Sequence, residues 1–224
     1  MSVIDYPDSE AMALGAARAV MSALKNALVG QGRATLVVPG GTTPGPVFDA
    51  LCDLPLEWEK VDILLSDERF VPEGHARANS GLVRGRLMKG RAASARFHPF
   101  HDPDAEDADA LARRLSDRCR ELLPVSVCLL GMGADGHVAS LIPGARGLGV
   151  ALDDDAPPVV ALFPQTGEAR VSLSLPALKG AFETHLVISG PAKHATLEEA
   201  QRAGPAEEMP VRAVLDGATV HHAP

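Results

Sequence analysis

The chain has 224 residues, of which 46% are hydrophobic and 22% are charged, and its formal net charge at pH 7 is -8. This length and composition are typical of a globular protein with a sizeable core, and they predict a single domain over residues 1–224. The negative charge argues against a nucleic-acid partner or an anionic membrane surface, so an anionic ligand would need a local cluster of arginine and lysine side chains.

The first third of the chain predicts a helix followed by a strand-helix-strand unit. Residues 9–29 are rich in alanine and leucine at helical spacing, and glycines follow them directly. Apolar runs at 34–38 and 61–65 are typical of buried strands, and segment 44–53 is typical of the helix between them. Strands connected in this way are expected to be parallel.

The rest of the chain continues the alternation of strands and helices. The predicted elements are helices at about 78–89 and 104–122, a strand at 125–130, a surface connection at 147–158, a strand in 159–164, a strand leading into a helix in 170–178, a strand at 185–190, a helix at 193–202, and a last strand at 211–214 or 218–221. This order predicts an α/β fold with a doubly wound, mostly parallel sheet and helices on both faces. Ligands of such folds bind where loops leave the carboxyl ends of the strands.

The segment LLGMGADGHVASLIPG, residues 129–144, contains the pattern G-x-G-x-x-G after a predicted strand. A dinucleotide site also needs a long helix directly after the third glycine and an acidic residue at the end of the next strand. Pro143 and Gly144 would end a helix after about two turns, and the acidic residues 153–155 precede the next strand. The segment therefore does not predict a dinucleotide site.

The same loop contains a candidate for proton transfer. Its glycines permit a tight turn with exposed backbone N–H groups, and Asp135 lies two residues before His137. A carboxylate beside an imidazole fixes the tautomer and stabilises the imidazolium form, so we interpret His137 as a general base. The alternative is a histidine that caps a helix or is hydrogen-bonded in the core, but a glycine-rich loop after a buried strand favours the first interpretation.

The loop PGGTTPG, residues 39–45, is a candidate anion site. Gly40 and Gly41 allow the backbone to approach a ligand, Thr42 and Thr43 add hydroxyl groups, and the amino end of the predicted helix attracts phosphate. No lysine follows the last glycine, so the loop is not a Walker A motif and a nucleoside triphosphate is disfavoured. An ordinary turn between a strand and a helix is the alternative interpretation.

The stretch SDERF, residues 66–70, places charged side chains at the end of a predicted strand, where a structural turn would more often have glycine, asparagine or serine. Arg69 is a candidate anion ligand, and Asp67 is a candidate for contact with a polyol or for proton transfer. Arg170 and Lys193, in later loops, would add cations to the same pocket. A solvated turn with a local ion pair, and surface positions for the two later cations, remain the alternatives.

The other features have structural interpretations. The three cysteines lack C-x-x-C spacing and predict reduced thiols, and neither a signal peptide nor a membrane span is expected. His221 and His222 near the carboxyl terminus are expected to fray rather than to bind a metal. The basic residues between Arg84 and Arg96 predict a solvated helix face. We expect a cytoplasmic monomer or weak dimer.

Taken in order, these loops resemble the 6-phosphogluconolactonases, members of the superfamily that also includes the glucosamine-6-phosphate deaminases. The matching segments span residues 34 to 200 and are VVPGGTTPGPVFDAL, VDILLSDERFVP followed by Asn79, VCLLGMGADGHVASLIPG, RVSLSLPAL and SGPAKHATL. Of these, the D-G-H-x-A-S-L-x-P-G segment is the most specific.

The resemblance implies a cytoplasmic enzyme that hydrolyses 6-phospho-D-glucono-1,5-lactone to 6-phosphogluconate in the oxidative pentose phosphate pathway, without a metal or cofactor. It implies that His137 activates water and that Asp135 and Asp67 line the pocket near the reacting end. The remaining pocket residues would be Asn79 and a group around the phosphate that consists of Gly40, Gly41, Thr42, Thr43, Arg69, Arg170 and Lys193.

Two positions depart from the pattern. Phe70 stands where the family usually has tryptophan, and Ile142 stands where it usually has phenylalanine; both changes keep an apolar side chain. The deaminases instead resemble D-G-H-I-A-F-N-E-P, with a proton-transferring glutamate at the position of Ile142. An aliphatic side chain cannot move a proton, so the sequence disfavours an isomerase or deaminase. A non-catalytic sugar-phosphate-binding protein is the other alternative.

Overall fold

The computed structural model describes residues 1–72 and 74–224, and these residues form two β-sheets with surrounding helices. The strands are β1 (Ser2–Asp5), β2 (Ala34–Val38), β3 (Val61–Leu65), β4 (Asp67–Arg69), β5 (Arg96–His98), β6 (Val127–Gly131), β7 (Val159–Leu162), β8 (Arg170–Leu173), β9 (Glu183–Ser189) and β10 (Thr219–Ala223). The α-helices are α1 (Ser9–Gln31), α2 (Pro44–Leu51), α3 (Asn79–Arg86), α4 (Ala108–Cys119), α5 (Leu148–Leu152), α6 (Leu175–Lys179) and α7 (Pro191–Ala200). Short 3-10 helices cover Trp58–Lys60, Gly90–Ser94, Arg120–Leu122 and Pro210–Val214.

Local sequence signals set the ends of the two longest helices. Asp8 accepts a hydrogen bond from the Ala11 N–H at 2.8 Å and so caps α1, and Asp107 caps α4 by accepting from the Ala110 N–H at 2.7 Å. Gly32 ends α1 with φ 73°, a left-handed conformation that glycine adopts without steric cost.

The large sheet is parallel throughout the described residues, with the order β1-β10-β9-β6-β2-β3-β5. From β2 the chain continues to β3 and β5 on one side, whereas from β6 it continues to β9 and β10 on the other. Right-handed crossovers therefore place α1, α2 and α3 on one face and α4 and α7 on the other. The predicted doubly wound, mostly parallel sheet is confirmed, and the order of strands reverses between β2 and β6.

The second sheet was not predicted. It has the antiparallel order β4-β8-β7, so the strands expected in 159–164 and 170–178 lie outside the main sheet. Residues 67–69, interpreted as a loop, form an edge strand of this sheet because the chain leaves β3 and pairs at once with β8. The Leu173 N–H donates to the Ser66 carbonyl, and the Phe70 N–H donates to the Ala169 carbonyl, both at 2.8 Å.

The carboxyl-terminal residues are ordered, contrary to the expectation of fraying. Of the two proposed positions for the last strand, 218–221 is correct, and 211–214 lies in a 3-10 helix. His221 is fully buried, with its Nδ1 3.0 Å from the Tyr6 hydroxyl and its Nε2 3.1 Å from Nδ1 of His185. His222 Nδ1 lies 2.8 Å from Asp5 Oδ1. Both histidines are held because β10 lies inside the sheet, between β1 and β9.

Residues 137–144, where the sequence allowed at most about two turns of helix, form a turn in which Ala139 has φ 51°. Three further expectations need correction. The connection 147–158 contains α5, and the helix expected at 104–122 is divided between α4 and a 3-10 turn. The basic residues are not one solvated face, because Arg86 is paired with Asp49, and Arg96 lies in β5 with its Nη2 2.8 Å from Asp62 Oδ2.

Buried apolar side chains of both sheets and the helices form one continuous cluster, whose largest fully buried members are Trp58, Phe48 and Phe100. Among the described helices, none has the length and apolar character that a bilayer-spanning helix needs.

Candidate active site

A cleft opens at the carboxyl ends of β2 and β6, where the order of strands reverses. This is the position at which open α/β sheets bind their ligands, because the loops that leave the two strands run in opposite directions. The cleft gathers every predicted site residue except Asp135. Those that line it are Gly40, Gly41, Thr42, Thr43, Asp67, Arg69, Asn79, His137, Arg170 and Lys193.

His137 and Asp135 form a hydrogen-bonded pair at one wall of the cleft. His137 Nδ1 lies 2.6 Å from Asp135 Oδ1, and the same oxygen accepts from the His137 backbone N–H at 3.2 Å. A proton on Nδ1 is shared with the carboxylate, so Nε2 keeps a lone pair that can accept a proton. Asp135 was expected to line the cleft, but it is not among the lining residues and contacts His137 on the side away from the cleft.

The charge state of this pair favours a carboxylate. Burial raises the pKa of Asp135, but the positive charge of a protonated His137 and the hydrogen bonds from its N–H groups lower it more, so that the pKa lies below its ordinary value. Asp135 is therefore ionised at neutral pH and stabilises an imidazolium ion at His137.

Glycines shape the loop that presents the pair. A side chain at Gly133 would collide with the His137 ring and the Asp135 carboxylate, and Gly136, with φ 79°, packs against Met209. The Gly133 N–H donates to the His137 carbonyl at 2.9 Å, and the Gly136 N–H donates to the Gly133 carbonyl at 3.1 Å. The glycine pattern predicted exposed N–H groups here, but these two are bonded within the loop and stabilise its turn.

Asp67 is a second carboxylate in the cleft, and two serine hydroxyls hold it in place. Its side chain accepts from Ser66 Oγ at 2.9 Å and from Ser140 Oγ at 2.5 Å, and it is 5% exposed. Arg170 Nη1 lies 3.9 Å from its Oδ2. Ser140 was not predicted as a site residue, since a single serine in an apolar segment carries no signal of its partner.

Arg69 and Arg170 face each other across the strand pair β4 and β8. The Nε atoms of both are buried without an acceptor among the described residues. Burial and then the positive charge of Arg69 lower the pKa of Arg170, and burial lowers the pKa of Lys193 in the same cleft. Three cations brought together in this way are stabilised by an anionic ligand.

Glu68 connects two predicted site residues, Arg69 and Asn79, although it was not itself predicted as a site residue. It is 3% exposed, and its carboxylate accepts from the N–H groups of Arg69 at 2.8 Å, Asn79 at 2.7 Å and Ser80 at 2.8 Å. Burial raises its pKa, and the three N–H groups oppose that rise. Glu68 thereby supplies the acceptor for the first N–H groups of α3. The side-chain amide of Asn79 in turn donates to the Asp67 carbonyl at 2.8 Å.

The loop after β2 forms the opposite wall. A side chain at Gly40 would collide with the Asn79 amide, and Gly41 has φ 90°, so both positions favour glycine. In the described part of the chain, the N–H groups of Gly41 and Thr42 have no acceptor. Both residues lie just before the start of α2, whose positive end favours an anion.

Among the described residues, no three His, Cys, Asp or Glu side chains converge on a point where a metal ion would bind.

Solved structures share this fold over the whole chain. A 6-phosphogluconolactonase from Shewanella baltica superimposes with a TM-score of 0.94 at 30% identity, covering 100% of this chain and 97% of the other. A putative 6-phosphogluconolactonase from Neisseria gonorrhoeae gives 0.93 at 34% identity and covers 100% of both chains. A monomeric glucosamine-6-phosphate deaminase, at 18% identity, has the same fold with a TM-score of 0.79. Fold and cleft thus define an α/β protein of the class that includes lactonases and amino-sugar-phosphate deaminases.

The sequence comparisons narrow this class. The chain belongs to the family described as glucosamine-6-phosphate isomerases/6-phosphogluconolactonase, whose model matches residues 7–222. Among its relatives, the 6-phosphogluconolactonase of Pseudomonas aeruginosa is 41% identical over 95% of this chain and 90% of its own length. That of Rhizobium meliloti is 40% identical, over 96% of this chain and 93% of its own.

Ile142 bears on the two activities named in the family description. It is partly buried and packs against the apolar cluster, and the described residues that line the cleft do not include it. The position that carries a proton-transferring glutamate in the deaminase pattern is therefore used here for packing.

Proposed function

We propose that this protein hydrolyses 6-phospho-D-glucono-1,5-lactone to 6-phosphogluconate, with His137 as the general base. The observation that carries the proposal is the His137–Asp135 pair, 2.6 Å apart, in a cleft that also holds three cationic side chains. A proton acceptor and an anion site in one cleft are what a phosphorylated ester substrate requires. The names of the relatives support this lactone as the substrate.

In the proposed reaction, His137 Nε2 takes a proton from a water molecule as the water oxygen attacks the lactone carbonyl. The bond between the carbonyl carbon and the ring oxygen then breaks, and the imidazolium returns the proton to that oxygen. Asp135 stabilises the imidazolium between the two steps. No covalent bond to the protein forms. The Gly133 and Gly136 amides are bonded within their loop, so neither N–H is free to stabilise the oxyanion.

We assign the phosphate to the remaining polar groups of the cleft. Lys193 and the two arginines supply charge, and the loop after β2 supplies N–H groups and hydroxyls at the amino end of α2. Asp67, held by two serines, lies near the reacting end and binds a sugar hydroxyl, and Asn79 completes the pocket wall. The phosphate ligands in this proposal are Gly40, Gly41, Thr42, Thr43, Arg69, Arg170 and Lys193.

The proposal is tested with fresh lactone, by following acid release in a weakly buffered solution against the spontaneous rate. General-base assistance is worth about 10²–10⁴-fold, so His137→Ala should lower kcat by that factor. KM should change little, because the phosphate ligands remain. Wild-type turnover no faster than the spontaneous reaction would favour a sugar-phosphate-binding protein instead, and unchanged kcat in the variant would remove His137 from its role.

We further propose that the enzyme acts in the cytoplasm as a monomer or weak dimer. Cys52, Cys119 and Cys128 are buried free thiols, which is usual for proteins of a reducing compartment. Light scattering across a range of protein concentrations measures the state of assembly directly.

A further inference from the structure

Helix α7 contacts the catalytic loop as well as the cleft. Lys193 lines the cleft, and Thr196, three residues later, lies on the same side of the helix. Thr196 Oγ1 lies 2.9 Å from the carbonyl oxygen of Ala134, which is the residue directly before Asp135. This contact joins two segments 62 residues apart in sequence.

The contact restrains the part of the loop that has few other restraints. Gly133 is fixed by its bond to the His137 carbonyl, and Gly136 is fixed by the Val211 N–H, which donates to its carbonyl at 2.9 Å. Between these points, the Asp135 side chain is 51% exposed and its described partner is His137 alone. From outside the loop, the Val211 N–H therefore holds the residue after Asp135, and the Thr196 hydroxyl holds the residue before it.

We propose that Thr196 is a positioning residue for the reaction. Its hydroxyl holds the Ala134 carbonyl and so fixes the direction from which Asp135 meets the His137 ring. Since the same helix carries Lys193, α7 fixes the position of a phosphate ligand relative to the general base His137. The inference rests on the proposed role of His137.

An ordinary helical role for the hydroxyl is the competing explanation. Thr196 Oγ1 also lies 3.0 Å from the Ala192 carbonyl, four residues earlier, and threonine often donates to that position in helices. A hydroxyl has one proton, so the two carbonyls compete for it. A bond to Ala192 alone would affect the helix and leave the rate of the chemical step unchanged.

The test compares Thr196→Val, which keeps the shape but lacks the hydroxyl, with Thr196→Ser, which keeps the hydroxyl. Small misplacements of catalytic groups are costly, so the valine variant should lower kcat about 10-fold with KM nearly unchanged, and serine should restore most of kcat. Thr184→Val is the matched control, because Thr184 lies at the opposite end of the sheet. If valine is not tolerated at position 196, Thr196→Ala against Thr196→Ser makes the same one-hydroxyl comparison.

A second comparison separates positioning from a general loss of stability. In the His137→Ala background, Thr196→Val should cause no further loss of kcat, because the group that it positions is gone. An equal loss in both backgrounds, or full kcat in Thr196→Val, would overturn the inference. These results require a wild-type protein that hydrolyses the lactone, so failure of the proposed function shows as inactive wild type and is distinguished from failure of the role of Thr196.

Discussion

The polar side chains of the cleft divide between proton transfer and charge. Asp135 and His137 share a short hydrogen bond, whereas Arg69, Arg170 and Lys193 bring cations together and bury part of their charge. A substrate with an anionic group at one end and an ester at the other matches both sets. Substitutions in the two sets should therefore change different kinetic constants.

Arg69→Ala should mainly raise KM. Charge-assisted hydrogen bonds contribute about 1.5–3 kcal/mol, which corresponds to a rise of roughly 10- to 100-fold, and kcat should change less because the phosphate is remote from the bond that breaks. Steady-state kinetics with the phosphorylated lactone measure both constants. Arg202→Ala is the control, since Arg202 is exposed and pairs with Glu199 outside the cleft. A loss confined to kcat would contradict an anchoring role.

The sequence identified the residues of the cleft better than their partners. Arg69 and His137 could be found because charged groups follow apolar runs, and strand ends meet at one edge of a parallel sheet. The contact between Asp135 and His137 was predicted from their two-residue spacing, whereas the contact of Ser140 with Asp67 depends on loop paths that no local pattern encodes. Spacing predicted the groups, and three-dimensional packing determined what each group touches.

Among the elements, α3 depends on a side chain that precedes it by many residues. Its N-cap residue, Ala78, has no side-chain oxygen, so Glu68 from β4 accepts the first N–H groups instead. The same carboxylate binds the Arg69 N–H. One buried acid therefore connects the short strand, the helix and two residues of the cleft.

Glu68→Gln should lower the free energy of unfolding by about 1–3 kcal/mol, because the amide nitrogen of glutamine faces a backbone N–H that has lost its acceptor. KM should rise with it, since Arg69 and Asn79 lose a common support. Urea denaturation measures the first effect and lactone kinetics measure the second. The exposed Glu59→Gln serves as the control. A variant as stable as the wild type would show that Glu68 does not cap α3.

The sequence also predicted some elements better than others. The bounds of β2 and β3 are confirmed, since mainly apolar runs are buried on both sides of a parallel sheet. In contrast, β1 is exposed along its length, and β5 has three residues, so neither has a hydrophobic pattern. The antiparallel sheet was missed because strand direction depends on the partner strand, which local sequence does not specify.

For the whole molecule, two buried histidines link stability to pH: His185 in β9 and His221 in β10. Burial, followed by the nearby His185, lowers the pKa of His221 from 6.5 to about 4, and burial lowers the pKa of His185 as well. The unfolded chain therefore binds protons near pH 5 that the folded chain does not bind. Stability that is present above pH 6.5 is lost as the pH falls toward 4.

The part of the free energy of unfolding that is lost through His221 should reach about 3 kcal/mol near pH 4. Urea denaturation at several pH values measures this loss. His221→Gln keeps a donor and an acceptor for Tyr6 and His185 but does not titrate, so its stability should fall less steeply with acid. The hydrogen bond from Arg96 lowers the pKa of Asp62 from 3.8 to about 2. Asp62 therefore affects stability only below pH 3.8. An identical slope for the glutamine variant would contradict this assignment.

The order of strands also constrains how the chain folds as it is made. In the described residues β1 pairs only with β10, and β10 lies between β1 and β9. Of the described strands, β1 is synthesised before the others and is among the last to acquire a neighbour. While a ribosome makes the chain, Ser2–Asp5 remains without its partner strand until Thr219–Ala223 has been synthesised. His221, one of the two histidines that link stability to pH, belongs to this late strand.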